Sequence, residues 1–132
     1  MDDHAAMREG MRAMIENQPD MAVVAEAANG QAGIELYRQH QPDITLMDMS
    51  LPVVSGVEAI RKIRDDSPQA RIIVVTTFED DALLFKAFEA GIEGYLLKDM
   101  LRKELIPAIR AVHDGQRYFP PAIASRLSKH RK

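Results

Sequence analysis

Asp2 and Asp3 stand side by side ahead of the first helical pattern, Asp48 closes an apolar run, Thr76 closes the next, and Lys98 follows the last. In an alternating strand–helix chain these five residues would meet at one edge of a parallel sheet, beyond the carboxyl ends of the strands. Clustered carboxylates repel, so they either take up protons or bind a cation. An all-oxygen donor set suits Mg²⁺, which keeps several waters and takes one or two carboxylates. A carboxylate in that setting is a nucleophile toward a phosphoryl group, giving an aspartyl phosphate. Lys98 and Thr76 would supply the ammonium and the hydroxyl that offset charge on the phosphoryl oxygens. Taken singly, each residue has a plainer explanation: a cap, a solvated terminus, a strand residue or a surface pair. The weight lies in their order and their places along the chain.

The elements that would position them follow from periodicity. Residues 21–27 (MAVVAEA), 43–48 (DITLMD) and 71–76 (RIIVVT) read as strands, and 94–97 (GYLL) as a shorter one. The third is nearly all apolar and β-branched, as a strand covered on both faces would be. Met7, Met11, Met14 and Ile15 make one helical face, read as core packing. Further faces follow in Val57, Ile60 and Ile63, in Leu84, Ala87 and Phe88, and in Leu101, Leu105, Ile109 and Val112. Asn29–Gly30 opens a shorter helix to about Gln39, and Gly115 is a stop for the last long one. Pro107 costs little if that last helix starts near Glu104; an earlier start predicts a kink. Alternation of strand and helix predicts an α/β fold, a parallel sheet with helices on both faces.

The totals narrow the function classes. One domain fits 132 residues, and 46% hydrophobic with 28% charged residues is the balance of a folded domain. Without cysteine there is neither a disulfide framework nor a thiolate metal site, which agrees with a reducing cytoplasm. The apolar runs are too short to span a membrane, and no signal peptide is visible. A net charge of −3 argues against strong nucleic-acid binding by this chain alone.

Asp2-Asp3-His4, the run Met47-Asp48-Met49-Ser50-Leu51-Pro52 with Gly56, Thr76-Thr77-Phe78, and Gly94-Tyr95-Leu96-Leu97-Lys98-Asp99 together resemble the receiver domains of bacterial two-component response regulators. The wording TTF and GYLLKD is similar to the NarL/FixJ subfamily. Spacings of 45, 28 and 22 residues from Asp3 to Asp48, Thr76 and Lys98 in turn agree with it. The resemblance covers residues 2 to about 115. It implies a flavodoxin-like doubly wound parallel sheet of strand order 2-1-3-4-5. It makes Asp48 the phosphoacceptor, with Mg²⁺ held by Asp2, Asp3, Asp48 and the Ser50 carbonyl. Lys98 would pair with the acceptor. Thr76 and Tyr95 would form the switch, and the Met49 and Thr77 N–H groups would reach phosphoryl oxygens. Ser50 and Phe78 would tune hydrolysis. The implied activity is that of a phosphoacceptor with Mg²⁺-dependent autophosphorylation and autodephosphorylation, not of a turnover enzyme. The implied partners are a sensor histidine kinase and a second copy in a homodimer, in the cytoplasm.

Two departures stand out. No apolar strand precedes Asp2-Asp3, so the first, central strand of that order is missing. This predicts a short apolar segment upstream, with Met1 standing where a valine would, or a strand borrowed from a second copy. Asp99 takes the place where the family often has proline, so a trans Lys98–Asp99 bond is expected. Residues 1–115 read as the receiver domain. Residues 116–132, with Arg117-Tyr118-Phe119-Pro120-Pro121 and a basic end, read as a linker toward a helix-turn-helix DNA-binding domain, through which alone DNA would be bound. His4 reads as a surface residue. A haloacid-dehalogenase-type phosphatase would want an Asp where Ser50 stands. A flavin-binding relative would need a glycine-rich phosphate loop, which is absent. The alternative within the family is a degenerate receiver acting as a dimerisation module without phosphorylation.

Overall fold

The computed structural model describes residues 3–48, 56–77 and 81–130. In chain order these form α1 (Asp3–Glu16), α2 (Gly30–His40), β1 (Thr45–Asp48), α3 (Gly56–Asp66), β2 (Ile72–Thr76), α4 (Asp81–Ala90), β3 (Gly94–Leu97), a 3₁₀ turn (Lys98–Met100), α5 (Leu101–His113) and α6 (Pro121–His130). The strands make a parallel sheet in the order β1-β2-β3. Asp48 lies opposite Val75, and Thr76 opposite Leu97. All of β2 and β3 is buried, as the apolar runs require.

Alternation along the strands divides the core in two. Ile72, Val74, Tyr95 and Leu97 face a layer built from α2, α3, α4 and α6, with Ile34, Ile60, Leu84 and Ile123 at its centre. Ile73, Val75 and Leu96 face α5 through Leu105, Ala108 and Val112, with the methionine stripe of α1 half-buried against them. The stripe packs against the core, as its spacing predicts, but its residues are only half-buried.

The helix boundaries have local causes. Asn29 caps α2, its side chain accepting the Ala32 N–H at 2.8 Å. Gln41 ends that helix in the left-handed region, at φ 44°. Gly115, at φ 90°, follows the end of α5, and its N–H reaches the Val112 carbonyl. α5 starts at Leu101, so Pro107 falls inside the helix. Pro107 and Lys103, whose carbonyl loses its usual donor, both lie on the exposed side, where water can serve that carbonyl. No cis peptide bond occurs among the described residues, so Lys98–Asp99 is trans as expected.

The expected strand over 21–27 is the one element that does not form. Its residues alternate strictly between half-buried and exposed, the period of a strand, but they enter no ladder. The physical reason is the lack of a neighbour: among the described residues no strand pairs with 21–27 or with the free edge of β1. A backbone with the right pattern and no partner stays extended without becoming sheet.

Residues 116–130 pack onto the domain. Tyr118 makes a parallel bridge beside Gly94, its N–H donating to the Glu93 carbonyl while its own carbonyl accepts the Tyr95 N–H. Phe119 meets Phe88 edge to face at 5.7 Å, Ile123 is fully buried, and Arg126 approaches Asp81 at 3.7 Å.

Candidate functional site

Asp48 ends β1 because the apolar run of that strand stops there, and the same is true of Thr76 on β2. The register sets these two ends, and Leu97 just before Lys98, along one edge of the sheet. Lys98 leaves β3 and donates from Nζ to Asp48 Oδ2 at 2.9 Å, across 50 residues of sequence. Both groups are largely removed from solvent, with side-chain exposures of 8% for Lys98 and 19% for Asp48. Two opposite charges so placed are held by each other more firmly than a surface pair would be. Thr76 is fully buried, the one polar residue in the core among the described residues. It lies on the face that also carries Tyr95, itself 1% exposed, which brings the two expected switch residues to the same side of the sheet.

The remaining expected residues divide by where they fall. α1 begins at Asp3, so this residue is the first of the helix and not ahead of it as expected. Asp2, Met49, Ser50 and Phe78 lie outside the described residues, as does the side chain of Asp3. Thr77 follows β2 and is exposed. Among the described residues no three acidic or imidazole groups converge as a metal cluster. The donors at issue are all oxygens, and Asp48 stands at the sheet edge where Mg²⁺ chemistry would need a carboxylate.

A chain with these strand ends, this parallel order and this ion pair matches the model for "response regulator receiver domain" over residues 1–110. The chain belongs to the response regulator receiver family. Its receiver fold is also found in a crystal structure of a LuxR-family two-component response regulator from Aurantimonas sp. SI85-9A1. That protein is 45% identical, with a TM-score of 0.90 over 98% of this chain and 93% of that one. The signal receiver domain of a NarL response regulator from Mycobacterium tuberculosis is 30% identical, with a TM-score of 0.81, covering 87% and 93%. Among curated relatives, the transcriptional regulatory protein LnrK of Bacillus subtilis is 37% identical over 96% of this chain and 57% of its own length. The response regulator UvrY of Escherichia coli is 38% identical over 97% and 59%. This receiver chain thus spans less than two thirds of the length of those regulators. No helix among the described residues is long and apolar enough to cross a membrane.

Two features of the receiver site had no sequence signal. One is the backbone hydrogen bond from Tyr95 to Tyr118, which ties the expected switch residue to the C-terminal segment. The small residue at 94 was its only trace: a Cβ there would come within 3.2 Å of the Tyr118 carbonyl oxygen. The other is the anchor at the opposite end of the strands. Arg64 spans from α3 to Glu93 at 3.0 Å and to the carbonyls of Pro68, Ala70 and Gly91, and Glu93 accepts the Ile72 N–H at 2.8 Å. That network fixes where β2 and β3 begin, and so where Thr76 and Lys98 end up.

Proposed function

We propose that this receiver domain is phosphorylated on Asp48 by a sensor histidine kinase, with Mg²⁺, and belongs to a regulator whose further domain binds DNA. The observation that carries the reading is the 2.9 Å contact of Lys98 Nζ with Asp48 Oδ2 at the carboxyl edge of the sheet, one strand-end from the Thr76 hydroxyl. A carboxylate oxygen of Asp48 attacks phosphorus, an O–P bond forms as the N–P bond of the phosphohistidine breaks, and the imidazole leaves with the electron pair. Lys98 offsets negative charge on the phosphoryl oxygens, and Thr76 donates a hydrogen bond once it turns toward them. Bound Mg²⁺, held by Asp48 with Asp2, Asp3 and the Ser50 carbonyl, would supply further neutralisation of that charge. The N–H groups of Met49 and Thr77 would add donors. Tyr95 follows Thr76, and the surface of α4, β3 and α5 changes its preference for a second copy. Residues 116–132 then carry the change toward the DNA-binding domain. Ser50, standing where a phosphatase of the haloacid-dehalogenase type would want a second Asp as general acid, favours an acceptor over a phosphatase.

Intact-mass measurement after incubation with acetyl phosphate and Mg²⁺ tests this reading. The expected result is one added phosphoryl group on the chain and none on Asp48→Asn. An unchanged mass for the chain would instead favour the dimerisation module without phosphorylation.

A further inference from the structure

Residues 117–127 attach to two elements at once. On β3, Tyr118 brackets Gly94: its N–H donates to the Glu93 carbonyl at 2.8 Å, and its carbonyl accepts the Tyr95 N–H at 3.2 Å. β3 is the end strand on this side of the sheet, so the segment takes its outer edge. On α4, Phe119 packs on the Phe88 ring at 5.7 Å, and the Arg117 guanidinium stands 6.0 Å from the centre of the same ring. Arg126 of α6 lies 3.7 Å from Asp81, the first residue of α4. The segment is thus fastened near both ends of α4 and at the start of β3. Between these points Ile123 is fully buried, in one cluster with Tyr95 of β3 and with Leu84 and Ala87 of α4. Phe119 and Leu127 pack against that cluster. A further hydrogen bond, from the Tyr118 hydroxyl to Glu104, reaches α5.

α4 and β3 are the elements that lie between Thr76 and Lys98 in the chain. A segment fastened to both resists any shift of one against the other, because close-packed interiors change by jumps and not by smooth deformation. A Tyr95 ring that left its place would open a void in the cluster it shares with Ile123, and such voids are costly. The seated segment and the resting ring therefore favour each other, and whatever moves one loosens the other. We infer that residues 117–127 are a brace that locks α4 to β3 and holds Tyr95 in place, and that must come off before either element moves. The brace needs nothing from Asp48. Its release by a phosphoryl group rests on the function proposed above. Tyr95 following Thr76 would unseat the segment, and the seated segment would in return oppose phosphorylation.

Ile123→Ala tests the brace from its buried side and Arg126→Glu from its surface side. Amide hydrogen exchange is followed by mass spectrometry in 81–90 and 116–130, with 72–76 as the internal reference, and the Tyr95 ring by NMR. Ile123→Ala should speed exchange about tenfold or more in 116–130 and about threefold or more in 81–90, with 72–76 unchanged. Arg126→Glu, which sets like charges together, should speed exchange about threefold in 116–130 and act in the same direction in 81–90. The Tyr95 resonance should move in both variants. Asp81→Arg added to Arg126→Glu exchanges the charges and should return both segments toward the parent. Faster exchange confined to 116–130, or a Tyr95 ring that does not respond, overturns the brace. Should 72–76 lose protection in Ile123→Ala, that variant has loosened the whole domain and Arg126→Glu decides by the same two readouts. A second arm adds acetyl phosphate and Mg²⁺ and reads the phosphoryl content by intact mass. Phosphorylated chain should exchange about tenfold faster in 116–130, and Ile123→Ala should reach a phosphorylated fraction about threefold higher at a limiting acetyl phosphate concentration. A phosphoryl group gained with 116–130 still protected overturns the release. An unchanged mass removes phosphorylation and the release with it, and leaves the brace to stand or fall on the two variants.

Discussion

Lys98 Nζ lies 2.9 Å from Asp48 Oδ2, so a cation from the last strand end holds a carboxylate from the first. The pair spans both neighbours of β2, and its members are only 8% and 19% exposed. Its stabilising part and its proposed chemical part can be separated by substitution. Lys98→Met keeps the stem and removes the charge, leaving Asp48 with less compensation. Asp48 retains some access to water, so the expected loss is about 1–3 kcal/mol in urea unfolding, below that of a fully buried broken pair. Phosphorylation by acetyl phosphate should fall at least about tenfold in the same variant. Lys98→Arg should recover most of the stability but little of the rate, because a planar guanidinium does not replace a compact ammonium.

Thr76 offers a sharper separation. It is fully buried on the face that carries Tyr95. Thr76→Val keeps the branched shape and removes the hydroxyl, at a cost of about 1 kcal/mol. Asp48 should still accept a phosphoryl group, while the signal that phosphorylation sends to Tyr95 should vanish. Side-chain NMR of Tyr95 before and after acetyl phosphate checks this. A ring resonance that moves equally in the parent and in Thr76→Val would remove the hydroxyl from the switch.

The candidate site was legible because parallel sheets collect strand ends on one edge. Asp48, Thr76 and Lys98 each follow an apolar run, and that alone places them together. The alternation at 21–27 was equally legible, but it reports only which side chains face inward. Whether a backbone enters a ladder depends on a neighbour, and no property of residues 21–27 reveals whether one lies beside them. The Arg64–Glu93 anchor and the docking of residues 116–130 join parts of the chain far apart in sequence, and neither has a periodic pattern. A proline pair at 120–121 reads as a linker, and only the buried Ile123 shows that the helix after it is seated.

That anchor should matter to stability. Arg64 and Glu93 have side-chain exposures of 21% and 27%, and Arg64 also serves three carbonyls in the two loops that lead into β2 and β3. Arg64→Ala leaves the Glu93 carboxylate and those carbonyls short of a donor. A loss of about 2–3 kcal/mol is expected in urea unfolding, with the m-value unchanged. Glu93→Gln should cost less, because the amide oxygen can still accept the Ile72 N–H.

Gly94 controls the seat of the C-terminal segment. Its absent side chain leaves room for the Tyr118 carbonyl oxygen and for Ile73 Cγ1, each 3.2 Å from where a Cβ would stand. Ile73 is fully buried in the central strand, whereas Tyr118 is held to the sheet by an isolated bridge. Gly94→Ala should therefore lift residues 116–120 off β3, lengthening the Tyr95–Tyr118 hydrogen bond. Exchange at the Tyr95 and Tyr118 amides should speed up several-fold, while β1 and β2 stay protected. Unchanged exchange at Tyr95 would show that the segment is held by Ile123 and Phe119 alone.

The same segment carries a pH signature. The Tyr118 hydroxyl donates to the Glu104 carboxylate, and this hydrogen bond, with burial and the nearby negative charge, raises its pKa above the ordinary phenol value of 10.0. A phenol raised in the folded state contributes stability that is complete below that ordinary value. The contribution is lost as pH climbs through the folded-state pKa. The expectation is a Tyr118 resonance that titrates at higher pH than a free tyrosine, with the C-terminal segment loosening over the same interval. Glu104→Gln removes the charge and weakens the acceptor, so the Tyr118 titration should move down toward 10.0 and the loosening should move with it. A Tyr118 titration that ignores Glu104→Gln would mean that burial alone raises it, and that the α5 carboxylate takes no part in seating the segment.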